Sequence, residues 1–98
     1  TLTNMARKID VARTYTRSIA IKYLAGQDVI AEACFAKNTA VETGEWVVDE
    51  AVQLHGGLGY MREAEVERQY RDMRILRIGG GTSEILTGLA AKRLGYTA

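Results

Sequence analysis

The chain has 98 residues, of which 47% are hydrophobic and 26% are charged, and its formal net charge is +1. This balance leaves no basic surface for nucleic acid, and no segment approaches the roughly 20 consecutive apolar residues that a membrane span requires. The single cysteine, Cys34, has no partner for an internal disulfide and nothing at the start resembles a secretory signal, so we expect a soluble, cytoplasmic protein.

Four helices are predicted, because proline is absent, helix-forming residues are abundant and alternating strand patterns are hard to find. Gly26 suits the left-handed position that ends the first helix, and Asp28 is a suitable cap for the second. The short connection between them predicts that these two long helices are antiparallel neighbours. The first helix covers residues 2–24, and its predicted buried face consists of Leu2, Met5, Ile9, Ala12, Ile19 and Tyr23.

The second helix is predicted over residues 29–54. Gly44 lies within this helix, where it allows another helix to approach closely, since a side chain would hold the backbones apart. Lys37 lies on the same face, and we expect it to extend past the helix contact into solvent rather than to act as a catalytic amine. The other residues of the predicted buried face are Ile30, Ala33, Ala40, Val47, Ala51 and Leu54.

Two glycine-rich loops flank a shorter third helix, predicted over residues 64–76 with Val66, Tyr70 and Met73 facing inward. The first loop covers residues 53–63. After the second, Thr82 or Ser83 caps a last helix, which ends at Gly95. The predicted buried face of the last helix consists of Ile85, Leu86, Leu89 and Leu94.

The sequence offers few groups for chemistry. A glycine-rich turn before a helix, as in residues 79–83, is able to receive a phosphate or similar anion, but an ordinary capping turn is the favoured interpretation. His55 is the only histidine, so a histidine-metal cluster is excluded, and its position at a helix end is typical of a polar cap. Cys34 is interpreted as a small packed residue, and Glu67 is expected to pair with Arg71 one helical turn away.

Residues 51–85 read "AVQLHGGLGYMREAEVERQYRDMRILRIGGGTSEI". The order of the motifs in this stretch resembles the C-terminal signature of the acyl-CoA dehydrogenase family. The preceding 50 residues resemble the two long helices before that signature, so the resemblance covers essentially the whole chain. The matching residues are Gln53, Gly56, Gly57, Gly59, Tyr60, Val66, Glu67, Arg68, Arg71, Asp72, Arg74, Gly81, Thr82, Glu84 and Ile85.

The resemblance implies an all-α fold in which residues 1–98 form the C-terminal part of a four-helix bundle whose first helix is missing. It implies an FAD-dependent oxidation of acyl-CoA to 2,3-enoyl-CoA, with electrons passed to an electron-transfer flavoprotein, in a homodimer or homotetramer. In members of the family, a carboxylate of the enzyme removes the α proton of the acyl-CoA while the β hydrogen leaves as hydride to the flavin. The fragment alone is expected to be inactive.

Site residues follow from the resemblance position by position. Gly81 matches a glycine beside the acyl thioester. One segment resembles the part that reaches the FAD of a neighbouring subunit, and a second resembles the part that contacts FAD at the start of the last helix. The first consists of Gln53, Leu54, His55, Gly56 and Gly57, and the second of Thr82, Ser83 and Glu84.

The sequence departs from the family pattern at the catalytic base. Many members carry an aromatic residue and then a catalytic glutamate before the Gly-Thr pair, where this chain has Gly79 and Gly80. A glycine cannot accept a proton, whereas other members place the base on an earlier helix. Glu65 also stands where many members have proline. A flavin oxidase of the same fold, or a helical domain used only for oligomerisation, therefore stays an alternative.

Overall fold

A computed structural model describes residues 1–97, and every regular element within them is helical, as predicted. Four α-helices are joined by short connections, two of which contain a 3₁₀ turn, at Gly56–Tyr60 and at Ile75–Arg77. The predicted helix boundaries agree with the observed ones to within two residues, the usual scatter of helix ends. The α-helices are α1 at Leu2–Leu24, α2 at Ile30–His55, α3 at Glu65–Arg74 and α4 at Ser83–Arg93.

The two long helices pack against each other as an antiparallel pair. Gly26 has a φ of 81°, the left-handed conformation predicted for it, and the chain reverses there. Ile19 packs with Ala36 near the reversal. Further along the two helices, away from the reversal, the Lys8 Nζ lies 4.9 Å from the ring centre of Trp46. Both pairings are those of antiparallel neighbours.

The start of α2 differs in one detail from the predicted cap. The N-cap position was predicted for Asp28 but is occupied by Val29, so Asp28 precedes the N-cap by one residue. The Asp28 carboxylate still accepts a hydrogen bond from the Ile30 N–H at 3.2 Å. The Asp28 side chain therefore still accepts a hydrogen bond from a free N–H group at the start of α2, although Asp28 lies outside the helix.

Helix α2 is the central element, because it contacts α1, α3 and α4, whereas α1 makes no comparable contact with α3 or α4 within residues 1–97. Cys34 is buried with Ala31 and Ala90, which confirms its interpretation as a small packed residue. The small side chains at these positions allow α4 to lie close to α2.

The predicted buried faces are only partly correct. On α1, Met5, Ala12 and Ile19 are buried, but Leu2 and Tyr23 are 73% and 69% exposed. On α2 the prediction is wrong for Ile30, Ala33, Ala40 and Leu54, which are all exposed. The buried residues of α2 are Ala31, Cys34, Ala36 and Val41.

The shorter helices also bury less than predicted. Val66 is buried on α3, whereas Tyr70 is exposed. On α4, Ile85, Leu89 and Leu94 are exposed and Ala90 is the buried residue. Each of these helices is covered on one narrow side by α2, so most of its apolar surface faces outward.

Gly44 permits the close helix contact that was predicted for it. A Cβ atom added at this position would lie 2.7 Å from the sulfur of Met73 and closer still to its methyl group. The missing side chain at Gly44 therefore makes room for Met73 where α3 packs on α2.

Candidate functional site

The first candidate segment is the end of α2 with its following turn, residues 53–57, named here the α2-terminal loop. All five residues are exposed, and Gly56 has a φ of 64°, which lets the chain leave the helix. The imidazole Nδ1 of His55 donates a hydrogen bond to the Ala51 carbonyl oxygen at 2.7 Å. His55 is thus the polar residue at the helix end that the sequence predicts.

Gly59 holds the α2-terminal loop against its own helix. It is buried, and a Cβ atom at this position would lie 2.7 Å from the Val52 carbonyl oxygen and 2.9 Å from the His55 Cβ. A side chain there would force the 3₁₀ turn away from α2. By contrast, a Cβ atom at Gly57 would meet open space, so the surface around Gly57 is free for an external group.

The second candidate segment is the tri-glycine loop, residues 79–81, which leads directly into α4. Gly80 and Gly81 have φ values of 71° and 101°, which L-residues with side chains rarely adopt. A Cβ atom at Gly81 would also lie 3.1 Å from Leu86. Two of the three glycines are therefore required by backbone conformation, and one of these also by space.

Thr82 is the N-cap of α4, as predicted. Its hydroxyl oxygen accepts a hydrogen bond from the Ile85 N–H at 3.1 Å. The N–H groups of Ser83 and Glu84, in the first turn, have no acceptor within the helix. They give the start of α4 a partial positive charge.

Lys37 holds the tri-glycine loop, contrary to the prediction that its ammonium group extends into solvent. Its Nζ donates hydrogen bonds to the carbonyl oxygens of Gly79 and Gly81, both at 2.7 Å. Local sequence reasoning missed this contact because the partners lie 42 and 44 residues further along the chain. The one available signal was a lysine on the predicted buried face of α2.

Asn38 extends the polar contact between α2 and α4. Its side-chain nitrogen donates to the Thr87 hydroxyl at 3.2 Å and, at 3.4 Å, to the Ser83 carbonyl oxygen. The Asn38 Oδ1 and the Ser83 Oγ are buried and have no hydrogen-bond partner within residues 1–97. The start of α4 therefore retains polar capacity that the described residues do not use.

An ion pair fixes the chain just before the tri-glycine loop. The guanidinium group of Arg77 donates to both carboxylate oxygens of Glu45 on α2, at distances from 2.7 to 3.2 Å. These hydrogen bonds lower the pKa of the Glu45 carboxyl and raise the pKa of Arg77. Both side chains are partly exposed, so the pair orients the loop more than it stabilises the fold.

Charged residues on α3 pair with one another along the helix surface. The predicted pair of Glu67 and Arg71 is confirmed, with the shorter hydrogen bond at 2.7 Å, and it lowers the pKa of Glu67. Arg68 donates to Glu65 and to Asp72. These exposed contacts account for most of the charged run without a ligand.

The two candidate segments do not meet. Lys37, which binds the tri-glycine loop, and the α2-terminal loop lie at different positions along α2. The 16 helix positions from 37 to 53 correspond to about 24 Å at 1.5 Å per residue.

Residues 1–97 contain no cluster of three metal-ligating side chains, and none of their helices has the length and apolar character to cross a membrane.

Comparison with known proteins identifies the family. The model of the acyl-CoA dehydrogenase C-terminal domain matches residues 1–95. A crystal structure of a probable acyl-CoA dehydrogenase from Mycobacterium abscessus superposes with a TM-score of 0.93 and 61% sequence identity, covering 96% of this chain and 25% of that one.

Two curated relatives agree with this match. The probable acyl-CoA dehydrogenase YdiO of Escherichia coli is 41% identical over 92% of this chain and 24% of its own length. The caffeyl-CoA reductase-Etf complex subunit CarC of Acetobacterium woodii is 34% identical over 94% of this chain and 25% of its own length. The chain thus spans about a quarter of the relatives that it matches. It belongs to the acyl-CoA dehydrogenase family, in which it corresponds to the C-terminal helical domain.

Proposed function

We propose that this chain is the C-terminal part of a longer FAD-dependent enzyme that oxidises acyl-CoA to 2,3-enoyl-CoA. The observation that carries the proposal is the match of residues 1–95 to the family's C-terminal domain, together with the tri-glycine loop that leads into the capped α4. A cytoplasmic setting fits the free, buried thiol of Cys34.

The residues at the start of α4 have the chemistry to hold part of FAD. Ser83 and Glu84 offer N–H donors, and the buried Ser83 hydroxyl lacks a partner within residues 1–97. We assign Thr82, Ser83 and Glu84 to this contact and Gly81 to the acyl thioester. When bound, FAD supplies the acceptor for the hydride that leaves the β carbon.

The α2-terminal loop is proposed to contact the FAD of a neighbouring subunit. It is exposed, and its separation of about 24 Å from Lys37 keeps it away from the tri-glycine loop of the same chain. The assigned residues are Gln53, Leu54, His55, Gly56 and Gly57. Because the two contacts are separate, the 98-residue chain alone is expected to show no saturable change on titration with micromolar FAD. Tight stoichiometric binding would contradict the assignment.

The catalytic base is proposed to be an acidic residue that precedes residue 1 of this chain. Gly80 occupies the usual position of the base but has no side chain to accept a proton. Replacing the true base by its amide should slow flavin reduction by acyl-CoA about 10²- to 10⁴-fold. If no upstream carboxylate substitution changes that rate, the assignment of the base is wrong.

An open groove between α1 and α2 supports the proposal that one helix of the bundle is missing from this chain. Ala33, Ala40, Ile19 and Thr16 lie along this apolar groove, which has a volume of about 430 Å³ at one end. Ala33 and Ala40 are two of the α2 positions that were predicted to be buried and are exposed. We propose that a helix preceding residue 1 covers the groove in the full-length protein.

In the isolated 98-residue chain, we expect a second copy to cover the groove. At about 25 cal/mol per Å², leaving several hundred Å² of apolar surface in water forgoes on the order of 10 kcal/mol. Sedimentation equilibrium at micromolar concentration should therefore show a dimer. A well-folded monomer would show that the chain needs no partner there.

The full-length protein that carries this chain provides the decisive experiment. It should show the absorption spectrum of oxidised flavin, and anaerobic addition of acyl-CoA should bleach it. Recovery of the spectrum with an electron-transfer flavoprotein, and slowly with oxygen, indicates a dehydrogenase, whereas rapid recovery with oxygen alone indicates the oxidase alternative. Absence of flavin would leave only the alternative of a helical domain used for oligomerisation. The name of the Acetobacterium woodii relative, which includes Etf, favours the first outcome.

A further inference from the structure

Lys37 connects the N-terminal third of α2 to the loop that precedes α4. Its ammonium group has three N–H donors, and two of them are used by the carbonyl oxygens of Gly79 and Gly81 at 2.7 Å. Hydrogen bonds from a charged donor are roughly twice as strong as those between neutral groups. A single side chain thus holds the residues on both sides of Gly80.

This contact determines which way the loop's peptide groups point. In a trans peptide the carbonyl and the following N–H point in opposite directions, and this chain has no cis peptide within residues 1–97. Because the carbonyls of Gly79 and Gly81 point toward Lys37, the N–H groups of Gly80 and Thr82 point away from it. Neither N–H donates a hydrogen bond to the backbone within residues 1–97.

The glycine conformations agree with this arrangement. Gly80 and Gly81 have φ values of 71° and 101°, and a Cβ atom at Gly80 would lie 4.0 Å from the Lys37 Cε. Without the two hydrogen bonds, three consecutive glycines would have many accessible conformations, since glycine is the least restricted residue. Lys37 therefore supplies the side-chain contact that restricts Gly80 and Gly81, whereas the N–H of Gly79 is already held by the Ile75 carbonyl oxygen at 2.8 Å.

We propose that Lys37 is a positioning residue, which fixes the tri-glycine loop so that its free N–H donors face the acyl thioester. The proposal rests on the proposed function for the place of the thioester, but the ordering of the loop by Lys37 is independent of it. Lys37 itself touches neither substrate nor flavin in this assignment.

The test compares Lys37→Met with Lys92→Met in the full-length protein. Methionine matches the length of the lysine stem and removes its donors, and Lys92 is an exposed lysine in the last turn of α4. Amide hydrogen exchange of residues 76–86 should become about tenfold faster or more in Lys37→Met, because one charged hydrogen bond accounts for roughly that factor. Exchange in α1 should stay unchanged, as should both regions in Lys92→Met.

Kinetics separate positioning from general stability. We expect kcat/KM for flavin reduction by acyl-CoA to fall about tenfold or more in Lys37→Met, with a melting temperature close to that of Lys92→Met. Lys37→Arg keeps a charged donor and should recover part of both the exchange protection and kcat/KM. Equal exchange, or equal kcat/KM, in Lys37→Met and the wild type would overturn the proposal.

A measurement on the wild type covers the case in which Lys37→Met does not fold. Reductive dimethylation followed by mass spectrometry should modify Lys37 about tenfold more slowly than Lys92, since two of its three N–H groups are engaged. Equal rates would contradict the contact. If the wild type carries no flavin, the proposed function fails while the exchange and labelling results still decide the role of Lys37.

Discussion

The contact between Gly44 and Met73 gives a quantitative test of how α3 packs on α2. Replacing a helical glycine by alanine normally stabilises a protein by about 1 kcal/mol. At Gly44 the added Cβ would lie 2.7 Å from the Met73 sulfur, so the end of this flexible side chain must move aside, which costs about 1 kcal/mol, the low end of the range for overpacking. Gly44→Ala should therefore leave the free energy of unfolding nearly unchanged, because the two effects of about 1 kcal/mol offset each other.

Gly88 is the matched control, because it lies inside α4 and a Cβ atom there would meet nothing within 4 Å. Gly88→Ala should raise the free energy of unfolding by about 1 kcal/mol. Urea denaturation of the 98-residue chain, followed by circular dichroism at one protein concentration, measures both variants. In a Met73→Ala background the penalty at Gly44 should disappear. Equal stabilisation by the two alanines would refute the close contact.

Three further predictions concern the loops and their ion pair. Thr82→Ala removes the cap of α4 and should cost about 0.5 to 2 kcal/mol in the same denaturation assay, whereas an unchanged midpoint would contradict the Ile85 hydrogen bond. Gly59→Ala should destabilise the chain by about 1 to 3 kcal/mol through its contact with the Val52 carbonyl, while Gly57→Ala, in open space, should cost much less. Because Arg77 lowers the pKa of Glu45, the stability from this pair is present above the ordinary value of 4.5 and is lost as the pH falls through the lowered value, so the difference between wild type and Glu45→Gln should shrink in acid; a difference independent of pH would contradict the pairing.

Local signals predicted the helices well, because they depend on neighbouring residues. Gly26 and Gly95 end helices in the left-handed conformation, both with φ of 81°, and Thr82 caps α4 through a residue three positions away. Gly44 was also interpretable, since a glycine inside a helix implies a close neighbour. These features required no knowledge of distant parts of the chain.

The buried faces were harder to predict, because they depend on where other helices lie. Ala33 and Ala40 carry the periodicity of a helix contact, yet they face an open groove within residues 1–97. Ala90 is the most buried of the core residues at 2% exposure, although its small side chain adds little to an apolar pattern. A periodic pattern identifies an apolar face but does not name the element that covers it.

Lys37 shows the same limitation for the candidate site. A long amphipathic side chain on an apolar face usually places its charge in water, and here the charge finds two backbone carbonyls instead. Those carbonyls are available because glycines at positions 80 and 81 adopt positive φ values. The lysine and the glycines are informative only together, which requires the packing of α4 against α2.

The position of both loops along α2 bears on assembly. Helix α2 is a continuous rod from Ile30 to His55, so Lys37 and the α2-terminal loop are held about 24 Å apart. One chain therefore cannot bring its tri-glycine loop and its α2-terminal loop to the same reacting group without breaking that helix. If both loops contact the same group of FAD, each FAD takes them from different copies of the chain. Under that proposal the outer end of α2 would extend to a neighbouring subunit, and the open space beside Gly57 in a single chain is the surface that the neighbour's FAD would occupy.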